Sequence, residues 1–208
     1  MKNIIFDFGN VLFDLDLSQI PRHFQRYWGD QAAAARDRLM AQQIFTLYET
    51  GGLSTAEFVD ALRFAATPVL SEEQVVAAWN SIFLGMPRAR FDLLSHLRER
   101  YNVFLLSNIN DLHARWIDDY MLREHGFSDF QTQFFDAVYY SHLIRLRKPD
   151  REIYEYVLAD AELAPEETIF FDDMEENVAA ARALGIKGVL KPAETDILKA
   201  LEAEGLII

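Results

Sequence analysis

Asn3-Ile4-Ile5-Phe6-Asp7-Phe8-Gly9-Asn10-Val11 is the stretch whose reading decides the fold. A short, continuous apolar run ends in a carboxylate, and a glycine two positions later signals a turn. That is the pattern of a strand buried on both faces. Strands of this kind belong to parallel sheets covered by helices on either side; a half-solvated strand would alternate apolar and polar residues instead.

Downstream, the strong patterns from about Ser18 to Asn102 are helical. Ser54-Thr55-Ala56-Glu57 and Ser71-Glu72-Glu73-Gln74 each place a hydroxyl three residues before a Glu or Gln, which predicts reciprocal capping at a helix start. Gly51-Gly52, Thr67-Pro68 and Gly85-Met86-Pro87 punctuate this block. Strands then return between helices. Val103-Phe104-Leu105-Leu106 ends in Ser107-Asn108, and Ala137 to Tyr140 follows a helical stretch. Thr168-Ile169-Phe170-Phe171 ends in Asp172-Asp173, and Ile186 to Leu190 follows a helix stopped by Gly185. The alternation predicts an α/β fold with a doubly wound parallel sheet. An inserted all-helical cap of residues 16–88 would divide a core made of residues 1–15 and 89–208.

The chain has 208 residues, 33 acidic against 20 basic, with a formal net charge of -13. Such a surface repels nucleic acid and anionic membranes, so neither is an expected partner. It would repel a phosphorylated substrate too, unless the site carries its own positive charge. There is no cysteine, hence no disulfide framework and nothing pointing to secretion. The N-terminal apolar run is too short for a signal peptide, and no apolar stretch approaches a membrane span. A soluble cytoplasmic protein is the expectation.

Open parallel sheets bind ligands beyond the carboxyl ends of their strands. Asp7, Ser107 and Asp172-Asp173 stand at such ends, and Lys148 lies in a loop before a helix expected near Asp150. Pro149 favours an extended Lys148 and suits a first helical turn. Three carboxylates in one crevice cannot all stay ionised without a cation. Magnesium, a hard ion that takes oxygen ligands and leaves room for substrate phosphate, is the natural choice. A carboxylate can also attack phosphorus and form an aspartyl phosphate, splitting the reaction into two steps.

With these residues in place, the chain resembles the haloacid dehalogenase-like hydrolases. Asp7-Phe8-Gly9-Asn10-Val11, Leu105-Leu106-Ser107-Asn108, Arg147-Lys148-Pro149-Asp150 and Phe170-Phe171-Asp172-Asp173 look like the four motifs of that superfamily, in order. The helical block looks like its type 1 cap. The resemblance implies that Asp7 is the nucleophile and a magnesium ligand. Gly9 would offer its backbone carbonyl to the metal. Asp173 would ligate directly, with Asp172 at or just outside the inner shell. Ser107 and the amide of Asn108 would hold phosphate oxygens, and Lys148 would bridge Asp7 and the phosphate. A small phosphorylated substrate follows, and the Asp-x-Gly-Asn-Val form resembles a bacterial branch of sugar phosphatases.

Gly9 is a departure. Most phosphatases of the superfamily carry an aspartate two residues after the nucleophile, which protonates the leaving oxygen and later activates water. A positioned acid or base is worth about 10² to 10⁴ in rate. Three ways around the loss suggest themselves: a good leaving group such as an anomeric oxygen, a proton from Asp14, Asp16 or Glu49, or little or no catalysis. A 2-haloacid dehalogenase and a non-catalytic phosphate-ligand binder are the rival readings. The Asp172-Asp173 pair argues against the first, because dehalogenation needs no magnesium.

Overall fold

The strands are β1 (Asn3–Phe6), β2 (Asp14–Leu15), β3 (Phe83–Gly85), β4 (Asn102–Ser107), β5 (Ala137–Tyr140), β6 (Thr168–Asp172) and β7 (Lys187–Leu190). The computed structural model describes residues 1–206; residues 207 and 208, which the sequence reading assigns to the core, lie outside the described residues. Five strands form one parallel sheet in the order β5-β4-β1-β6-β7. The chain builds outward from β1 in one direction through β4 and β5, then returns to its other side with β6 and β7. That reversal opens a crevice at the carboxyl ends of the central strands.

Side chains of a strand alternate between faces, and the register aligns that alternation across the sheet. Ile4 lies level with Val103 and Ile169, and Ile5 with Phe104 and Phe170. The first set joins Phe6, Leu105 and Phe171 in one buried cluster, the second joins Leu106 in another. Both faces are buried, which explains why these strands read as unbroken apolar runs. The helices are α1 (Gln19–Trp28), α2 (Gln31–Ala41), α3 (Ile44–Glu49), α4 (Thr55–Arg63), α5 (Glu72–Trp79), α6 (Arg88–Arg98), α7 (Asp111–Tyr120), α8 (Phe130–Phe134), α9 (Ser141–Ile144), α10 (Arg151–Asp160), α11 (Glu175–Arg182) and α12 (Ile197–Ala203). Residues of α6, α7, α8 and α12 cover the first face, and residues of α10 and α11 the second.

Helices α1 to α5 surround a separate apolar cluster that includes Phe24, Trp28, Tyr48, Phe58, Leu62 and Trp79. Ser54 and Ser71 cap α4 and α5 as the sequence predicts: each hydroxyl accepts from the backbone N–H three residues on, and Glu57 and Gln74 return the bond. The helical block is entered and left through something the sequence reading missed. Antiparallel strands β2 and β3 pair Asp14 with Gly85 and Leu15 with Phe83. Two and three residues are too few to show a strand period.

Three hydroxyls help to fasten the helical block to the sheet domain. The Tyr48 hydroxyl accepts from the Leu112 amide at 3.0 Å. Thr55 Oγ1 donates to Asp111 at 2.6 Å, and Ser141 Oγ donates to the Glu49 carbonyl at 2.7 Å. Beside the last of these, Gly51 holds φ +67°, and a Cβ there would collide with the His142 carbonyl oxygen. Only glycine allows that approach at that φ.

Candidate active site

Asp7 follows β1, Asp172 closes the neighbouring β6 and Ser107 closes β4 on the other flank. The Asp7 amide donates to the Phe171 carbonyl at 2.8 Å, extending the ladder so that Asp7 emerges level with the end of β6. Lys148 arrives from the segment between α9 and α10. Its ammonium donates to Asp7 Oδ1 and to Asp172 Oδ2, both at 2.6 Å. Carboxylate oxygens of Asp7, Asp172 and Asp173 lie within 4.8 Å of one another. The structure thus brings residues 7, 148, 172 and 173 into one cluster, with Ser107 and Asn108 on the adjoining wall of the cleft.

Each member is held by its neighbours through contacts that the sequence did not foretell. The Asn108 side chain accepts from the Lys148 amide at 2.9 Å and donates to the Lys148 carbonyl at 2.8 Å. This two-way amide clamp fixes the lysine's backbone. Asp172 Oδ1 accepts from the Met174 amide and from Asn177 Nδ2, both at 2.9 Å. Both Asp172 oxygens are therefore engaged, whereas Asp173 is half-buried and takes one bond, from Asn10 Nδ2 at 3.0 Å. Asn10 sits at φ 55°, a left-handed conformation that asparagine tolerates better than most residues. Its carbonyl accepts from the buried Lys191 ammonium. Helix α10 begins at Arg151 with Asp150 as its N-cap, so Pro149 precedes the helix rather than opening its first turn. The cap of α7 is Asn110, whose Oδ1 accepts from the His113 amide at 3.1 Å, and Ser107 and Asn108 lie upstream of it.

Burial pushes the Asp7 carboxyl up to about 7; Lys148 pulls against this and Asp172 adds to it. Burial also works against the Lys148 ammonium, but Asp7 and Asp172 outweigh it and hold the amine above its ordinary value. Burial raises Asp173 as well, with Asn10 opposing. One ammonium offsets only part of the charge of three clustered carboxylates, and a divalent cation would offset the rest. The donors are all carboxylate oxygens, the chemistry that suits magnesium.

A cleft of about 230 Å³ opens where the segments after β1 and β4 meet, lined by Gly9, Leu15, Leu17, Ile20, Glu49, Trp79, Ser107, Asn108 and His113 among others, with the four cluster residues outside its lining. A Cβ on Gly9 would meet Leu15 Cδ1 at 2.7 Å, so leucine fills the space where a side chain at residue 9 would start. His113 is buried and reaches the cleft wall. Burial holds its imidazole down to about 4, and its nitrogens engage the Trp79 carbonyl at 3.0 Å and Asn110 at 3.2 Å.

The three carboxylates weighed as replacements for the missing acid part company here. Asp14 is bound to Arg90 at 2.8 Å. Asp16 accepts from the Ser18 hydroxyl and from Gln19 at 2.7 Å, and these bonds hold it below the usual carboxylate range. Glu49 alone of the three lines the cleft. Burial pushes its carboxyl up, against the pull of Arg147 and Lys148.

Comparison with known proteins is consistent with this geometry. The haloacid dehalogenase-like hydrolase family matches residues 1–185. D-ribitol-5-phosphate phosphatase of Bacteroides thetaiotaomicron is 30% identical over 187 residues, covering 90% of this chain and 90% of that protein. The crystal structure of a HAD family enzyme from the same organism superposes with a TM-score of 0.88 at 33% identity, covering 97% of this chain and 98% of that one. The wild-type form of that enzyme in complex with magnesium and inorganic phosphate gives a TM-score of 0.79 at 33% identity, over 94% and 96% of the two chains.

Proposed function

Because this chain belongs to the haloacid dehalogenase-like hydrolases, we propose that it is a magnesium-dependent phosphatase acting on a small phosphate monoester, a sugar or polyol phosphate, through a phospho-Asp7 intermediate. The observation that carries this reading is the Lys148 ammonium held 2.6 Å from both Asp7 and Asp172 at the ends of adjacent strands. A dianionic ester approaching an acidic protein needs such a fixed cation, and phosphoryl transfer asks the protein mainly to position groups and neutralise charge. The Bacteroides D-ribitol-5-phosphate phosphatase supports the substrate class, and the magnesium and phosphate complex of the related enzyme supports the cofactor.

Asp7 and Asp173, with the Gly9 carbonyl, would hold magnesium, and Asp172, both of whose oxygens are already engaged, would lie just outside. Bound there, the ion would offset the carboxylates' charge and that of the ester oxygens. Asp7 presents its carboxylate to phosphorus from the tip of a buried strand, so its approach is fixed before substrate arrives. Ser107 and the Asn108 amide would hold phosphate oxygens, while the Asn108 side chain keeps Lys148 in place. The helical block would close over the ester and exclude water.

The experiment is hydrolysis of phosphate esters with and without magnesium. Activity should vanish on chelation and in Asp7→Asn, and the wild type should yield an acid-stable, base-labile phosphoryl group on Asp7. A protein that binds phosphate esters but never becomes phosphorylated would be the non-catalytic binder instead. Halide release from a 2-haloacid without metal would establish the dehalogenase reading.

A further inference from the structure

Building on the phosphatase reading, we propose that Glu49, delivered from the helical block, is the proton donor and acceptor that position 9 lacks. The placement rests on backbone ties. Glu49 is the last residue of α3, and its carbonyl accepts from Ser141 Oγ at 2.7 Å. Ser141 is completely buried, and the same hydroxyl accepts from the Ile109 amide at 2.9 Å and lies 3.0 Å from the Ile109 carbonyl. One hydroxyl therefore locks the Glu49 backbone to the loop that carries Ser107 and Asn108. The next turn is pressed against the same region, because Gly51 packs on the His142 carbonyl where no side chain fits.

This anchoring puts the Glu49 side chain in the wall of the cleft that Gly9, Ser107 and Asn108 also line. The charged groups acting on it are Arg147, at 3.4 Å, and Lys148. Arg147 pairs with it loosely, at 3.4 Å against the 2.8 Å of Asp14 with Arg90, and burial outweighs both cations in raising the carboxyl, the direction that suits a donor. Asp14 and Asp16 are committed to Arg90 and to Ser18 and Gln19. Leu15, lying against Gly9, leaves the approach on that side to hydrocarbon.

In the first step Glu49 gives its proton to the bridging ester oxygen as that oxygen's bond to phosphorus breaks and the Asp7 Oδ–P bond forms. The alcohol leaves neutral. In the second, the Glu49 carboxylate takes a proton from a water molecule whose oxygen bonds to phosphorus while the Asp7 Oδ–P bond breaks. Inorganic phosphate is released and Glu49 is again an acid. The cycle closes without any further reactant.

The test is kcat/KM with magnesium for a primary alkyl phosphate and for 4-nitrophenyl phosphate, in the wild type and in Glu49→Gln. The alkyl ester, whose leaving oxygen must be protonated, should lose about 10² to 10⁴, and the loss on the aryl ester should be at least about tenfold smaller. Equal losses on both esters, or none, would overturn the assignment. A measurement on the wild type alone guards against a variant that does not fold. Across esters whose leaving groups span phenols to alkyl alcohols, kcat/KM should fall shallowly; a steep fall would mean that no acid assists. Magnesium-dependent 4-nitrophenyl phosphate hydrolysis that Asp7→Asn abolishes judges the phosphatase reading separately, so its absence would count against that reading and the leaving-group pattern against Glu49.

Discussion

Asp7→Asn should make the metal-free protein more stable, and increasingly so as pH rises. In the folded state burial and Asp172 lift the Asp7 carboxyl from 3.8 to about 7, whereas the unfolded chain releases its proton near the ordinary value. Between those two pH values the folded protein holds a proton that the unfolded chain has lost, so stability falls as pH rises. The slope reaches about 1.4 kcal/mol per pH unit, and across the window the total is about 4 kcal/mol. Asparagine keeps the shape and removes the titration. The assay is chemical denaturation in EDTA from pH 4.5 to 8, taking the stability of the variant minus that of the wild type, a difference in which the titrations shared by both proteins largely cancel. The difference should climb towards about 4 kcal/mol and flatten above pH 7. Magnesium should then restore the wild type at pH 7.5 and leave the variant nearly untouched. A pH-independent difference, or one that falls with pH, would refute the charge-crowding picture.

Lys148→Met should destabilise the metal-free protein by about 3–5 kcal/mol, because it leaves Asp7 and Asp172 without their shared cation; denaturation at pH 7.5 measures it, and turnover should disappear as well. Asn108→Ala removes both amide bonds to the Lys148 backbone at about 1 kcal/mol each, and kcat should fall further than stability alone implies because the ammonium loses its register. Gly51→Ala should cost about 1 kcal/mol or more and raise KM by unseating the turn from His142, a combination that steady-state kinetics and thermal melting together would show. Ser71→Ala breaks the cap of α5 at the end opposite Trp79 and should lower stability by about 1 kcal/mol with kcat unchanged.

The parallel sheet was legible because burial on both faces writes itself as uninterrupted apolar runs: Ile4-Ile5-Phe6, Val103 to Leu106 and Ile169 to Phe171 are strands for that reason. The meeting of Asp7, Lys148, Asp172 and Asp173 could be foreseen from their places at strand ends and in one loop, since topology alone carries them to the same crevice. Ribbon β2–β3 could not, because pairs such as Leu15 with Phe83 join residues far apart in the chain. The supporting contacts escaped for a related reason. Asn108 with Lys148 and Ser141 with Glu49 are long-range bonds between polar residues that, in sequence, carry the ordinary signature of turns and caps. Asn177 had a faint signal, as an amide five residues after Asp172 on a helix that starts at the site.

The bonds from Tyr48, Thr55 and Glu49 to the sheet domain make the helical block a buckled flap rather than a freely swinging one. If each clasp contributes about 1 kcal/mol net, these three alone hold the unfastened state to roughly one molecule in a hundred, and the Trp79–His113 and Glu49–Arg147 contacts lower it further. Phosphate trapped beneath would then wait on unbuckling, and the pace of the whole cycle would slow in viscous solvent even while bond-breaking at phosphorus kept its own rate.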